Sequence, residues 1–180
     1  MTLPRTDLFK LLGATTLFFG SVVGADYVTS NTPNDSQIIQ IVMAANNEEI
    51  ATSQLLEKSN NRALKALATG MIKDHSNSNV EMKKLAKNLG LEIKDSGVSE
   101  NIQKDARTEV TELNKLNGAK FDKGYIDGLV ADHEALIKTF DKTLIPSAKN
   151  IQLAELLKKT RAVVQHHLTM AQQIQPTIDE

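Results

Sequence analysis

The sequence predicts an all-α fold, a bundle of four long helices with a short extra helix in the connection between the second and the third. Apolar residues recur at three- and four-residue spacing through four long segments, as they do in amphipathic helices. No segment alternates apolar and polar residues with the two-residue period of a strand. After a polar, flexible leader at residues 26–35, the bundle domain is expected to occupy residues 36–180.

The first 25 residues are typical of a cleavable secretory signal. Arg5 and Lys10 precede an apolar run of about 15 residues, which is too short to span a bilayer comfortably. The run ends with the small residues Gly24 and Ala25, which suit the site read by a signal peptidase. We therefore expect export to the periplasm or the outside of the cell, with association to the outer membrane left open. An uncleaved membrane anchor is the alternative.

The first two helices are expected to form an antiparallel hairpin. The first covers residues 36–59 and begins after Asn34 or Asp35, either of which is a good N-cap. Two consecutive asparagines, of which Asn61 is the second, interrupt the helical pattern. The second helix then runs to Gly90, a residue type that often follows the end of a helix.

A short helix and a second hairpin complete the predicted bundle. The short helix is expected over residues 99–118, and the third long helix over residues 121–145, with Pro146 ending it. The fourth long helix covers residues 150–175. The connection of about 30 residues between the second and third long helices is long enough to cross the bundle, as in ferritin-like folds.

Composition argues against several classes of function. The net charge is −1, with 21 basic and 22 acidic residues and no basic stripe, so a nucleic-acid partner is not expected. The absence of cysteine excludes disulfides, thiol catalysis and thiolate metal sites. No Ser-His-Asp order, glycine-rich phosphate loop or pair of catalytic carboxylates occurs at a recognisable spacing. An enzyme is therefore the least favoured interpretation.

Each long helix carries one ionisable residue on its apolar stripe. These residues are Glu49, His75, His133 and His167. Each follows an apolar residue by three or four positions, the spacing that places two side chains on the same face of a helix. Counted from the turns of the two hairpins, all four lie in the middle third of the bundle, with height differences of about 5–6 Å within each hairpin. We expect them to approach one another in the interior.

Two arrangements would offset the cost of burying these groups, which is at least a few kcal/mol for an unpaired one. One is a metal ion, because neutral imidazole suits Zn, Cu, Fe or Ni and a carboxylate completes a set of four ligands. The other is a hydrogen-bonded network in which Glu49, Asp122 and Tyr125 are the partners of the histidines. Asp122 is alternatively the N-cap of its own helix.

Other polar residues near these positions have two interpretations each. Asp74 and Asp132 each precede a histidine, and they are either partners across the bundle or solvated residues on its flank. Glu48 competes with Glu49 for the inward position. His166 is expected at the rim of the bundle.

With these residues identified, the chain resembles the bacterial family called domain of unknown function 4142, whose members are described as exported or outer-membrane proteins. The resemblance covers residues 36–175. It depends on EEI in the first helix, MIKDH in the second, FDKGY followed by ADH in the third, and HHL in the fourth. It implies a ferritin-like four-helix bundle in the cell envelope and no particular activity. The residues it assigns to the family pattern are Glu49, His75, Asp122, Tyr125, His133 and His167.

The pattern departs from that of ferritin-like di-iron proteins, which carry a Glu-x-x-His pair on each of two helices. Here the residue three before His75 is Ile72, and the residue three before His167 is Val164. Too few carboxylates are expected to face the interior for a di-iron centre. A single metal ion is therefore the more economical interpretation.

The favoured interpretation is an exported ferritin-like bundle that binds one transition-metal ion, Zn, Cu or Fe, and serves metal handling or tolerance of envelope stress. Its expected ligands are Glu49, His75, His133 and His167, with Asp122 and Tyr125 around them. The alternative is a structural or interaction module of the cell envelope with a hydrogen-bonded His and Glu core and no metal. No transmembrane helix is expected in the mature chain, and the sequence leaves a protein or envelope partner and the oligomeric state open.

Overall fold

The computed structural model describes residues 32–178, and all regular secondary structure in that range is helical. The five helices are α1 (Asp35–Gln54), α2 (Arg62–Asn88), α3 (Gly97–Asn114), α4 (Ala119–Thr139) and α5 (Ile151–Ile174). Helix α1 ends in a 3₁₀ turn, Leu55–Lys58, and α5 ends in another, Gln175–Thr177. The predicted all-helical bundle is confirmed, including a shorter helix between the second and third long ones.

The proposed secretory signal at residues 1–25 lies outside the described residues, as does most of the leader at residues 26–35. Within residues 32–178, no helix has both the length and the apolar composition needed to cross a bilayer.

Asparagine side chains cap the N-termini of three of the long helices. The side chain of Asn34 accepts a hydrogen bond from the backbone amide of Gln37, whose side chain accepts one from the backbone amide of Asn34. This reciprocal capping box makes Asn34 the N-cap of α1, and Asp35 is the first helical residue. Asn61 and Asn150 each accept hydrogen bonds from two amides in the first turns of α2 and α5. These caps satisfy amides that have no partner within the helix.

The boundary between α3 and α4 differs from the prediction. Helix α3 stops at Asn114, four residues before the predicted end at Gly118. Gly118 precedes α4 with a φ of 56°, a left-handed conformation that glycine adopts without the clash of a Cβ. Asp122 lies within the first turn of α4, so the alternative that it is the N-cap of this helix is wrong. Its carboxylate there still interacts favourably with the positive end of the helix dipole.

The end of α4 is longer than predicted. The chain continues through a π-helical turn, Phe140–Leu144, and a last α-helical turn, Ile145–Ser147. Pro146 lies inside this last turn rather than ending the helix before it. Proline has no N–H to donate to the preceding turn, and the wider π turn immediately before it accommodates that lost hydrogen bond.

Two apolar layers fill the interior of the bundle, one toward each end. The upper layer joins the beginnings of α1 and α5 to the ends of α2 and α4, and its members include Ile38, Val42, Met82, Phe140, Leu144, Leu153 and Leu157. The lower layer joins the opposite ends of the same helices, and its members include Leu56, Leu64, Met71, Phe121, Ile126 and Ala171. Helix α1 packs against α2 and α3, α4 packs against α5, and α2 packs against α5.

The membership of the two layers gives the direction of each helix. Helices α1 and α5 run from the upper layer to the lower one, and α2 and α4 run from the lower layer to the upper one. Because α2 and α4 are parallel, the connection between them has to return the chain along the whole bundle. Helix α3 does this, since Ile102 near its start lies in the upper layer and Leu113 near its end lies in the lower one.

Candidate metal centre

Three imidazoles lie between the two apolar layers, one each from α2, α4 and α5. His75, His133 and His167 are buried, with exposed fractions of 1%, 0% and 2%. The ring centroids of His75 and His167 are 5.1 Å apart, those of His133 and His167 are 5.9 Å apart, and those of His75 and His133 are 6.2 Å apart. One ring nitrogen from each residue lies within 4.8 Å of the other two. The structure therefore brings together the three histidines that the helical spacing placed inside.

The orientation of His75 is fixed by a chain of side-chain amides across α1 and α2. The Nδ2 of Asn79 donates to Asn47, and the Oδ1 of Asn79 accepts from the Nδ2 of Asn46. Asn46 thus turns its Oδ1 toward the Nδ1 of His75, 2.9 Å away. Since an amide oxygen only accepts, His75 carries its proton on Nδ1, and its Nε2 keeps a free lone pair.

His167 is held by a carboxylate from the neighbouring helix. Its Nε2 lies 3.1 Å from the Oδ2 of Asp74 on α2, and the Asp74 side chain is 40% exposed. From the sequence, Asp74 was expected to be either a partner of a histidine across the bundle or a solvated residue on its flank. In the structure it is the partner of His167. A proton on Nε2 leaves Nδ1 of His167 with a free lone pair.

His133 faces the buried carboxylate of α1. Its Nδ1 lies 3.2 Å from the Oε1 of Glu49, which is itself 6% exposed. The contact is close enough for an ion pair, although its angles fall short of those of a hydrogen bond, so Nδ1 is also without a hydrogen-bond partner. Glu49, rather than Glu48, occupies the inward position on the stripe of α1, and it meets His133 alone at this distance.

Each of the three imidazoles has at least one buried nitrogen without a hydrogen-bond partner. The buried atoms without a hydrogen-bond partner include His75 Nε2, His133 Nε2 and His167 Nδ1. Buried polar atoms in proteins are paired in the great majority of cases, because an unpaired one loses its hydration without compensation. The three neighbouring rings therefore present three nitrogen lone pairs, and none of them has a hydrogen-bond partner.

Burial also keeps two of these rings in the neutral form. It lowers the pKa of His75 to about 4, with His133 and His167 adding to the effect and Glu49 and Asp74 opposing it. Burial likewise lowers the pKa of His167, although the hydrogen bond that its Nε2 donates to Asp74 works against that change. Burial alone would raise the pKa of Glu49, but the neighbouring imidazoles, His133 above all, bring it below its usual value. Neutral imidazoles are the form that binds metals.

Three more carboxylates lie beside Glu49, and this arrangement was not predicted from the sequence. Glu48 on α1, Glu109 on α3 and Asp132 on α4 line a narrow cleft together with Glu49. The carboxylate of Glu109 reaches α4, since a Cβ placed on Gly128 would lie 3.5 Å from its Oε1. The expectation that few carboxylates face the interior is therefore wrong.

The three acids beside Glu49 hold their protons more tightly than free carboxylic acids do. Burial raises the pKa of Glu109 to about 7, and the charge of Glu49 adds to the rise. Burial, followed by repulsion from Glu109, raises the pKa of Glu48 and of Asp132 well above their usual values. Several like charges in a poorly hydrated cleft are unfavourable, so protons remain on some of them.

The two residues expected around the ligands have other positions. The hydroxyl of Tyr125 lies 3.1 Å from Ser53 Oγ and 3.9 Å from Met71 Sδ, so it pairs with these residues rather than with an imidazole. Asp122 is in the first turn of α4, beside the lower apolar layer, and its Oδ1 is buried without a hydrogen-bond partner. His166 is exposed at the rim, as expected.

Sequence reasoning missed Asn46, Glu109 and the inward turn of Asp132, although each had a detectable signal. Glu109 lies four residues before Leu113, and Asp132 lies three after Leu129, so both share a face with buried residues. Asn46 lies four residues after the buried Val42, so it too shares a face with a buried residue. Its role depends on the packing of α1 against α2, which spacing within a single helix does not reveal.

A family model with the description "Domain of unknown function (DUF4142)" matches residues 24–174. No curated protein and no solved structure matches the chain. The matched range contains the whole of α1 to α5, with the three histidines and the four carboxylates beside them.

We expect the substitution Glu109→Gln to stabilise the protein at pH 8 in the presence of a chelator. The pKa of Glu109 is about 7 in the folded chain against 4.5 for a free glutamate. Between these pH values the folded state holds a proton that the unfolded state has lost, so the wild-type free energy of unfolding falls as pH rises. Allowing for partial solvent screening, the variant should gain roughly 1–3 kcal/mol at pH 8 and nothing at pH 4.5.

Chemical denaturation at several pH values measures this difference. Glu112→Gln is the matched control on the same helix, because Glu112 is exposed and pairs with Lys115. Its effect should stay within about 0.5 kcal/mol at every pH. A Glu109→Gln protein that is less stable than wild type at pH 8 would contradict the assignment of an uncompensated charge to this position.

Proposed function

The chain belongs to the DUF4142 family, and we propose that it is an exported helical-bundle protein that binds one transition-metal ion through His75, His133 and His167. The single observation that carries the proposal is the set of three lone pairs on buried, neighbouring imidazoles. Their free nitrogens are His75 Nε2, His133 Nε2 and His167 Nδ1.

The outer partners of the rings support a metal site. Histidines that bind metals usually give their second ring nitrogen to a carboxylate, an amide oxygen or a water molecule, which fixes the tautomer and the direction of the ring. Here the second nitrogens of His75, His133 and His167 face Asn46, Glu49 and Asp74 in turn. Each ring is thus turned with its free nitrogen available to a shared ligand.

The separation of the rings is compatible with ligation after a small adjustment. One nitrogen of each ring lies within 4.8 Å of one nitrogen of each of the other two rings. The centre of a triangle with sides of that length is about 2.8 Å from its corners, and zinc–imidazole bonds are about 2.0–2.1 Å long. Each ring therefore has to move inward by less than about 1 Å, which a modest side-chain rotation supplies.

We assign Glu49 an orienting role rather than that of the fourth ligand. Its Oε1 already lies 3.2 Å from the Nδ1 of His133, on the outer side of that ring. Three imidazoles then form the protein's part of the site, and the fourth position is left to water or to a small ligand. Imidazole ligands suit Zn, Cu and Fe, which are the ions to be tested first.

The ferritin-like arrangement and the export of the chain belong to the same proposal. Two antiparallel hairpins with parallel α2 and α4, joined by a connection that runs the length of the bundle, support a ferritin-like topology. The basic residues, the short apolar run and the small residues within residues 1–25 support secretion to the periplasm or beyond. The role that follows is handling of a metal ion, or tolerance of envelope stress, outside the cytoplasm.

A structural module with a metal-free hydrogen-bonded core is the competing proposal. Such a core would be expected to pair its buried polar atoms, because an incomplete network is less stable than an apolar one. The free nitrogens of the three rings do not fit that expectation, and this favours the metal.

We expect the protein, produced without a histidine tag, to bind one equivalent of Zn, Cu or Fe. The substitution His167→Ala removes one of three ligands and should weaken binding by about 100-fold or more. His166→Ala is the matched control, since His166 is the adjacent residue and is exposed. Elemental analysis and calorimetric titration of the three proteins give the stoichiometry and the affinity. Equal affinities for the two variants, or no stoichiometric binding by wild type, would refute the proposal.

The substitution Asp74→Ala should weaken metal binding without removing a ligand. Asp74 holds the Nε2 of His167 and so sets the direction of its free nitrogen. Losses of about 10- to 100-fold are typical when such an outer partner is removed. Asp74→Asn keeps an acceptor oxygen in the same place and should retain most of the affinity. If titrations show Asp74→Ala binding as tightly as wild type, Asp74 does not orient the ligand.

A further inference from the structure

We propose that the seam between α2 and α5 is the entrance to the imidazole site, and that Asp74 is the residue that first binds an arriving cation there. The seam is the line along which these two helices pack against each other, and Asp74 of α2 meets His167 of α5 on it. This inference rests on the proposed metal site and adds the route by which the ion reaches it.

The side chains that face the outer nitrogens of the rings differ in their exposure to solvent. Asn46 is buried and the side chain of Glu49 is 8% exposed, whereas the side chain of Asp74 is 40% exposed. The Oδ2 of Asp74 also lies 3.1 Å from the Nε2 of His167. One carboxylate therefore contacts both the solvent and a ring of the site, and carboxylate oxygens bind divalent transition metals as imidazoles do.

Several other approaches to the rings are closed to a hydrated ion. Above and below the rings, the two apolar layers would remove its water without replacing it. Between α1 and α2, the chain of side-chain amides from Asn46 through Asn79 to Asn47 covers the rings. The cleft beside Glu49 has no room for a water molecule. Asp74 therefore lies on the most direct path from the solvent.

Polar bridges cross the side between α4 and α5. Arg161 pairs with Asp141 toward the upper layer, and Gln172 donates to Glu134 toward the lower layer. Neither acid is hydrogen-bonded to an imidazole within residues 32–178, so neither can pass a cation directly to a ring as Asp74 can.

Asn77 borders the entrance on α2. It is exposed and lies three positions after Asp74, the spacing of side chains that share a helix face. Side chains on a helix lean toward its N-terminus, so a larger residue at position 77 would lie over Asp74. A substitution there covers the entrance without changing a ring of the site or any of the side chains that hold the rings.

The substitution Asn77→Leu should slow the loading and the release of Zn²⁺ by the same factor, about five-fold or more, with Kd unchanged. A covered entrance hinders the path in both directions and leaves the bound state as it was. Stopped-flow mixing with a chromophoric zinc chelator measures both rates in the full chain. Asn77→Ala should load at the wild-type rate because it covers nothing.

Ser76→Leu is the matched control for the added apolar side chain. Ser76 is exposed, and it lies about 200° around the helix from Asp74. Its rates should equal those of wild type. Wild-type rates in Asn77→Leu, or equal slowing by Ser76→Leu, would overturn the proposal.

The substitution Asp74→Asn tests the capture of the cation by charge. It keeps an acceptor oxygen for His167 and removes the negative charge, so loading of Zn²⁺ should slow by about five-fold at low salt. Added salt should then slow the loading less than it does in wild type. Glu112→Gln removes an exposed charge from α3 and should change neither rate. Loading of Asp74→Asn at the wild-type rate, with the same salt dependence, would show that Asp74 is not the first contact.

Chemical modification of the metal-free protein separates the entrance from the metal site. Diethyl pyrocarbonate acylates accessible imidazoles, and peptide mass spectrometry follows each histidine. Exposed His166 should react first, then His167, and last His75 and His133, and Asn77→Leu should slow His167 alone. If titrations find no bound metal while this order holds, the proposed function is wrong and the entrance stands. If the three buried rings react equally, or Asn77→Leu does not slow His167, the entrance is not at this seam.

Discussion

The burial of three imidazoles between two apolar layers is the constraint on which the rest of this bundle depends. A polar ring inside an apolar core loses its hydration, and it is stable there only when its nitrogens find partners. His75 and His167 are hydrogen-bonded to Asn46 and Asp74, respectively, and His133 faces the carboxylate of Glu49 at 3.2 Å. One further nitrogen of each ring, namely His75 Nε2, His133 Nε2 and His167 Nδ1, has no hydrogen-bond partner.

The order of the helices follows from the need to place these groups at one level. Each hairpin brings two inward residues together, Glu49 with His75 and His133 with His167. The return of the chain through α3 makes α2 and α4 parallel, and it also lays α3 against α1. That contact adds Glu109 to the acids of α1 and α4. The same connection therefore closes the fold and completes the acidic cleft beside the imidazoles.

The three imidazoles and the acidic cleft are neighbouring groups of polar side chains with different chemistry. Neutral imidazoles are typical ligands of transition metals, whereas the acids of the cleft hold protons because burial raises the pKa of Glu48, Glu109 and Asp132. Glu49 lies between the two sets, with its Oε1 near His133 and its side chain on the cleft wall.

Much of the fold was predictable from the sequence, because helical spacing identifies the buried face of a single helix. This spacing placed His75, His133 and His167 inside the bundle. The predicted breaks also coincide with helix termini, because Asn61 is the N-cap of α2 and Gly90 follows its C-cap. Spacing within one helix does not reveal how neighbouring helices pack. That packing decides which side chains each inward residue contacts. The partnership of Asn46 with His75 and the arrival of Glu109 beside Glu49 depend on that packing. The extension of α4 through Pro146 was missed because a π turn absorbs the lost hydrogen bond.

Anomalous X-ray diffraction from crystals of the zinc-loaded protein, with data collected on both sides of the zinc absorption edge, tests the central claim most directly. The account predicts one strong peak enclosed by His75, His133 and His167, with a nitrogen of each ring at about 2.0–2.1 Å. Zinc found only at surface carboxylates or at His166, with the three buried rings unliganded, would contradict it.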